Sequence, residues 1–236
     1  MNQNFSVDED NTRDMPKRAE PSPFDRAYRG LLRGLYEGSF IPGQRLAAPD
    51  LMNRFGVGRG TIREVLHRLV ASGVVSIIPN RGATVRHLTR TEVYSVLDVV
   101  EVLLGLAARG AALHLRCDEE RELFGELHRK LHPTTGNYSA FDFFRAREAY
   151  YRFLFRIAGN HELQRVFPDA QVHIMRVQLR TFGQAADSAA PEDFTELTDA
   201  ILTGDPEAAE VAGRRHVGYT RMRVAHLPDR AFSREP

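Results

Sequence analysis

The stretch from Phe24 to Val85 constrains the fold most, because the spacing of its apolar residues changes from helical to strand-like along it. Three segments with apolar residues three and four positions apart come first, and a glycine ends each of them: Gly38, Gly56 and Gly73. Two short β-prone runs follow, at 74–78 and 83–85, with a Pro-Asn-Arg-Gly turn between them. Three helices followed by a hairpin predict a winged helix-turn-helix domain over residues 22–88.

Positive charge is concentrated in the same part of the chain. Residues 23–88 hold ten basic and four acidic side chains, a net charge of +6, whereas residues 1–22 carry −2 and residues 89–236 carry −3. A compact basic module joined to a slightly acidic one is typical of a nucleic-acid-binding domain attached to a domain that does not bind nucleic acid. The charge distribution therefore favours DNA as a partner of the first domain.

The regions on either side of residues 22–88 differ in composition and in the spacing of their apolar residues. Residues 1–21 are polar, acidic and poor in aliphatic side chains, which predicts a disordered tail without a secretion signal. Beyond His87 every segment has a helical period, which predicts an all-α domain over residues 89–228. Pro168 is expected to kink or split one of its six helices, which are predicted over 91–115, 118–131, 139–158, 161–182, 191–203 and 206–226. The fold class is thus mainly α, a winged helix-turn-helix followed by a six-helix bundle.

The composition also excludes several classes of protein. No apolar stretch approaches the roughly 18 residues of a membrane span, and the single Cys117 cannot form an internal disulfide, so we expect a soluble cytoplasmic protein. Glycine-rich phosphate loops and nucleophile motifs are missing, so an enzyme is not expected. His128 and His132 share a helix face and could bind a metal, but they lack the Glu of an H-E-x-x-H motif, and solvent-facing histidines are the simpler interpretation.

Particular motifs resemble a known family. The first domain contains Pro42-Gly43-Gln-Arg-Leu46, then Phe55-Gly56-Val57-Gly58-Arg59-Gly60-Thr61-Ile62-Arg63-Glu64-Val65-Leu66, and Pro79-Asn80-Arg81-Gly82-Ala83-Thr84-Val85. In these motifs it resembles the GntR family of bacterial transcription regulators. The second domain, with Ala158-Gly159-Asn160 and Gly204-Asp205-Pro206, resembles the helical effector-binding domain of the FadR subfamily, called FCD, and its six predicted helices favour the VanR-like branch.

The resemblance implies a regulator, most often a repressor, whose affinity for an operator is controlled by a small molecule bound in the second domain. One winged helix contacts only a few base pairs, so a homodimer on palindromic double-stranded DNA is expected. The second domain, residues 89–228, would then serve effector binding and dimerisation.

The opening turn of the third helix is the part of a helix-turn-helix that reaches base edges. Arg59, Thr61 and Arg63 fall in this turn, and the resemblance places both arginines at DNA-contacting positions. Gly58 and Gly60 stand where the family usually has Ser and Thr. The DNA can therefore approach the backbone more closely, but two hydroxyl donors are lost.

The predicted hairpin offers a second DNA contact. At its tip Gly82 allows close approach and Arg81 can enter the minor groove. Arg45, which precedes the second helix, is expected to contact a phosphate or simply to be exposed.

The usual metal ligands of the subfamily are largely replaced. Metal-binding members offer an Asp and a His four residues apart on one helix, and one His on each of two later helices. The motif spacing puts Arg147, Tyr151 and Phe194 at three of these positions and leaves only His216. Because neither a guanidinium nor a phenyl ring ligates a cation, no metal and no cofactor is expected.

A guanidinium in the bundle can hold an anion directly. We expect Arg147 to bind the carboxylate or phosphate of an effector, with Tyr151 and His216 as hydrogen-bond partners, Phe194 as an apolar wall and Arg176 as a weaker candidate. Two alternatives remain open. Arg147 could pair with an internal acid such as Glu148 or Glu196, and the domain could be degenerate, which would leave a ligand-blind constitutive DNA-binding regulator.

Overall fold

The computed structural model describes residues 21–132, 140–167, 169–180 and 191–235. The tail predicted over 1–21 lies outside these ranges except for Pro21. Outside them too lie most residues between the helices predicted over 118–131 and 139–158, and all residues between those predicted over 161–182 and 191–203. Within the described ranges, no helix combines the length and the apolar character that crossing a bilayer requires.

The first module is built as its turn signals predict. It contains α1 (Pro23–Tyr36), α2 (Ala48–Phe55), α3 (Arg59–Ala71), β1 (Val75–Ile78) and β2 (Gly82–Val85). The Ser22 side chain accepts a hydrogen bond from the Asp25 amide and so caps α1, while Gly56 ends α2 in a left-handed conformation with φ of 61°. Apolar side chains from all three helices form the buried core: Leu31, Leu35, Leu51, Ile62, Val65 and Leu69.

The strands form an antiparallel hairpin, and a third extended segment joins it. The register runs from Val75 opposite Val85 to Ile78 opposite Gly82. The Gly43 amide donates to the Val85 carbonyl at 2.9 Å and the Leu46 amide to the Ala83 carbonyl at 2.8 Å. Residues 43–46 therefore pair with β2 along the edge away from β1 and fix the wing to the body of the module.

All remaining regular structure in the described residues is helical, which confirms the predicted fold class. The helix predicted over 161–182 is divided around Pro168, so the six predicted segments are seven helices in the described ranges. They are α4 (Arg90–His114), α5 (Asp118–Arg129), α6 (Ala140–Ile157), α7 (His161–Val166), α8 (Asp169–Arg180), α9 (Pro191–Thr203) and α10 (Pro206–Ala225), with a short 3₁₀ turn at Asp229–Ala231.

Helices α4 and α10 approach each other closely because small residues line their contact. A Cβ atom added to Gly213 would lie 3.0 Å from the Leu104 carbonyl oxygen and 3.1 Å from the Ala108 Cβ. A Cβ on Gly105 would lie 2.9 Å from the Arg214 Cγ. The two backbones therefore pack at a distance that leaves no room for larger side chains, and this pair forms the centre of the bundle.

Buried polar contacts fix the junction between the two modules. The Gln178 side chain on α8 accepts from the Leu88 amide at 2.7 Å and donates to the carbonyls of Leu88 at 2.9 Å and Ala231 at 2.8 Å. The Ser233 amide also donates to the Leu88 carbonyl at 2.9 Å. The chain thus continues past the predicted domain end at 228 and packs on the junction, with Phe232 beneath the Arg90 guanidinium at 4.2 Å from its ring centroid.

Candidate functional site

The first turn of α3 presents an open, basic surface. Arg59 and Arg63 lie four positions apart, so helix geometry puts both on one face, and both are exposed. Thr61 is half-buried in the same turn. A Cβ atom on Gly58 or Gly60 would meet nothing within 4 Å, so this end of the helix is unobstructed.

The other three candidates for DNA contact lie at the wing. Asn80 and Gly82 adopt left-handed backbone conformations with φ of 63° and 76°, which turns the chain tightly and leaves Arg81 and Gly82 exposed. Arg45 is also exposed. Its backbone forms a β-bridge with Thr84 of β2, so this residue lies at the wing although it precedes α2 in the chain.

The arginines of this surface have no counter-ions of their own. Within the part of the chain that the structure describes, the guanidinium groups of Arg45, Arg59, Arg63 and Arg81 form no ion pair, whereas nine arginines from Arg86 onward pair with carboxylates. Positive charge without an internal partner attracts polyanions from a distance. The geometry suits contacts to phosphates both at the wing and at the start of α3, and contacts to base edges at the start of α3.

In the second module, three of the candidate effector-binding residues are in direct contact. The Tyr151 hydroxyl of α6 lies 2.6 Å from His216 Nε2 of α10. The Phe194 ring of α9 packs against both, with centroid distances of 4.7 Å to His216 and 5.9 Å to Tyr151. Positions far apart in the chain therefore meet in one cluster, which we call the Tyr-His cluster (Tyr151, Phe194 and His216).

Two arginines adjoin the Tyr-His cluster. Arg147 precedes Tyr151 by one helical turn, is only 3% exposed, and its Cζ lies 5.3 Å from the centroid of Phe143. The Cζ of Arg176 on α8 lies 5.7 Å from the centroid of Tyr151. A guanidinium shielded from water attracts an anion more strongly than one at the surface. Carboxylates and phosphates are the groups that guanidinium groups hold by paired hydrogen bonds.

The acids named as alternative partners of Arg147 bind other arginines. Glu148 forms an ion pair with Arg152, and Glu196 forms one with Arg215 and also accepts from the Tyr219 hydroxyl at 3.1 Å. Both carboxylates are thus already engaged at the surface of the bundle.

The four positions at which the family resemblance implies metal ligands do not fit a cation in this chain. His216 supplies a suitable nitrogen, but that nitrogen is hydrogen-bonded to Tyr151, and the other two positions carry Arg147 and Phe194. Among the described residues, no group of three or more His, Cys, Asp or Glu side chains could hold a metal ion. The chemistry of this site is therefore that of hydrogen-bond donors and aromatic rings.

Sequence reasoning missed the residues that position Phe194. Tyr150 is fully buried, and its hydroxyl lies 2.8 Å from Thr198 Oγ1, which donates in turn to the Phe194 carbonyl at 2.7 Å. Burial raises the pKa of Tyr150, so this hydroxyl stays neutral. Motif spacing singled out Tyr151 but gave no signal for the bond between Tyr150 and Thr198, because that contact depends on how α6 packs against α9.

Comparisons with known proteins agree with this architecture. The family model described as "Bacterial regulatory proteins, gntR family" matches residues 23–85, and the FCD domain model matches residues 95–219. The "Probable D-xylose utilization operon transcriptional repressor" of Paenarthrobacter nicotinovorans is 26% identical over 205 residues, 86% of each chain. The "HTH-type transcriptional repressor RspR" of Escherichia coli is 23% identical over 195 residues, 80% of this chain and 83% of its own.

Solved structures share the fold. McbR/YncC of E. coli has a TM-score of 0.72 at 17% identity, covering 86% of this chain and 97% of that chain. A transcriptional regulator described as GntR from Rhodococcus sp. RHA1 has a TM-score of 0.64 at 20% identity, covering 88% of this chain and all of its own. At these identities the likeness shows the fold, a winged helix-turn-helix followed by a helical domain.

Proposed function

This chain belongs to the GntR family of bacterial regulatory proteins and carries an FCD domain, and from that premise we propose that it is a transcriptional repressor controlled by a small anionic metabolite. The observation that carries the proposal is the nearly buried Arg147 one turn from the Tyr-His cluster. Arg147 binds the anionic group, Tyr151 and His216 donate or accept hydrogen bonds, Phe194 covers the ligand and Arg176 adds positive charge. Repression is supported by the names of the relatives described above.

Helix α8 provides a route from the effector to the DNA-binding module. It carries Arg176, which contacts Tyr151, and Gln178, which holds both backbone groups of Leu88 at the junction. A ligand that displaces Arg176 shifts α8 and with it the linker before α4. If the ligand binds the arrangement with α8 shifted about 1–3 kcal/mol more tightly than the arrangement without the shift, that difference suffices for regulation. We also propose that the protein acts in the cytoplasm, because a repressor of bacterial genes must reach the chromosome there.

Loss of the anion response in an Arg147 variant tests the proposal. We expect one member of a panel of small carboxylates, aromatic acids, sugar acids and phosphates to raise the melting temperature of the full chain in the presence of a chelator, because a ligand that binds the native state stabilises it. Arg147→Ala and Arg147→Gln are expected to abolish the rise, since each removes the guanidinium.

The matched control is Arg145→Ala, which removes an exposed arginine from the same helix. It should keep the parent's response. An anion that stabilises Arg147→Gln as strongly as the parent would contradict the assigned role of Arg147. A panel without any hit, together with intact DNA binding, would support the ligand-blind regulator instead.

We propose that the homodimer forms through an exposed face of α4. Four large apolar side chains recur there at helical spacing and form what we call the α4 stripe: Val99, Val102, Leu106 and Leu113. Beside the stripe, Asp98 pairs with Arg221 and Arg109 pairs with Glu210, so these charges are balanced within the chain and the stripe itself stays apolar. Two such stripes cover each other when the helices pair antiparallel, and a two-fold symmetric DNA site requires two winged helices, so the occupant we propose for this face is a second copy of the chain.

Val102→Glu is expected to convert the dimer to a monomer at micromolar concentration, because it places a carboxylate in the centre of the α4 stripe. Sedimentation equilibrium measures the effect. Val166→Glu on α7 is the matched control, since Val166 is equally exposed and lies outside the stripe. If Val102→Glu sediments as the parent does, the dimer interface lies elsewhere.

A further inference from the structure

Two histidines at the end of α5 lie in contact outside the sites described so far. His128 Nε2 and His132 Nε2 are 3.1 Å apart, with ring centroids 4.7 Å apart and the ring planes inclined at 64°. His128 belongs to the last turn of α5, and His132 follows in a turn closed by the bond from its amide to the Arg129 carbonyl at 3.0 Å. Both nitrogens thus converge on one point at the edge of the bundle.

The separation of these nitrogens matches that of two ligands on one metal ion. Metal–nitrogen bonds to histidine are about 2.0–2.1 Å long. Two nitrogens 3.1 Å apart then subtend an angle of roughly 100° at a shared cation, between the values for square and tetrahedral coordination. Known zinc sites also take two histidines four residues apart, there within one helix, whereas here His132 follows the end of α5.

A side chain from a neighbouring helix adjoins the pair. The hydroxyl oxygen of Thr195 on α9 lies 3.3 Å from His128 Nε2, so a further oxygen donor adjoins the two nitrogens.

We propose that His128 and His132 form a two-histidine site for a divalent transition metal, completed by water and the Thr195 hydroxyl. Two imidazole nitrogens favour Cu²⁺ over Ni²⁺ and Zn²⁺. A metal held there links α5 to the turn of α9 that carries Phe194, so it also restrains one wall of the Tyr-His cluster. The site is separate from that cluster and does not depend on the proposed anionic effector.

Calorimetric titration of the tag-free, metal-stripped full chain with CuCl₂ and ZnCl₂ tests this site. The parent is expected to bind one equivalent per chain, with Cu²⁺ tighter than Zn²⁺. His132→Gln and His128→Gln are expected to weaken Cu²⁺ binding at least tenfold. The electron paramagnetic resonance spectrum of the parent's Cu²⁺ complex is expected to show two coordinated nitrogens, and that of either variant one.

His226→Gln is the matched control, because His226 is exposed and its ring lies 2.7 Å from the Met222 carbonyl one turn before it, away from His128 and His132 in the chain. It should bind Cu²⁺ as the parent does. Parent-like binding in His132→Gln, or a spectrum with a single nitrogen in the parent, would overturn the proposal. Anion binding in chelator is unaffected by either result, so failure here is distinguishable from failure of the effector proposal.

Discussion

Arg63→Ala is expected to weaken operator binding by about 2–6 kcal/mol in the proposed dimer, because each subunit would lose one contact worth about 1–3 kcal/mol when an arginine forms two hydrogen bonds with a guanine. Arg63 lies on the exposed face of α3, one turn after Arg59, and forms no ion pair among the described residues. The substitution therefore removes the proposed DNA contact and breaks no ion pair among the described residues.

The measurement begins with selection of a binding site from random duplex DNA by the full-length parent. We expect a two-fold symmetric sequence. Fluorescence anisotropy with that duplex, at several salt concentrations, then compares the parent with Arg63→Ala. A contact to a base edge lowers the preference for the selected sequence, whereas a contact to a phosphate lowers affinity for all sequences and reduces the salt dependence.

Arg68→Ala serves as the control for Arg63→Ala. Arg68 is exposed on the same helix but lies beyond the opening turn that enters the major groove. Its loss is expected to leave the sequence preference intact, to lower affinity for all sequences alike and to reduce the salt dependence. If Arg63→Ala kept both the parent's affinity and its preference, α3 would not contact DNA in the orientation assigned to it.

Gly213→Val is expected to lower the free energy of unfolding by about 1–3 kcal/mol, because its branched side chain enters a contact that is already closed. A single Cβ at this position would lie 3.0 Å from the Leu104 carbonyl oxygen and 3.1 Å from the Gly105 Cα, and both are backbone atoms of α4. The helices must move apart to admit the side chain. Urea denaturation followed by circular dichroism, at a fixed protein concentration, measures the change.

Gly218→Val separates packing from helix propensity. Gly218 lies in the same helix, and a Cβ there would meet nothing within 4 Å. Valine forms helix slightly better than glycine, so this variant is expected to be as stable as the parent or slightly more stable. Equal losses at 213 and 218 would show that α10 does not pack on α4 as closely as the structure places it.

Much of the fold could be predicted because its signals are local. The apolar period changes after Gly73, the Asn80-Arg81-Gly82 tip requires left-handed conformations, and the structure has the hairpin there. The division of the helix predicted over 161–182 followed from one proline. These features depend on the conformational limits of neighbouring residues, so neither alignment nor tertiary contact was needed to expect them.

The candidate site could be predicted only in part. Spacing from two motifs led to Tyr151, Phe194 and His216, which the structure brings together, while their role stays a prediction. The partners of Glu148 and Glu196 were not predictable, because several arginines were equally available along the sequence. The contact between Gln178 and Leu88 joins residues far apart in the chain and had no signal at all.

The sequence by itself determined which segments are helical, where the wing turns and where unbalanced positive charge lies, because period, turn chemistry and charge are properties of short stretches of chain. Only the tertiary structure decided that Tyr150 bonds to Thr198 behind Phe194, that α8 holds the junction through Gln178, and that His128 and His132 converge. These outcomes depend on how each helix rotates about its axis as it packs on its neighbours, and apolar periodicity specifies the buried face of a helix but not its partner.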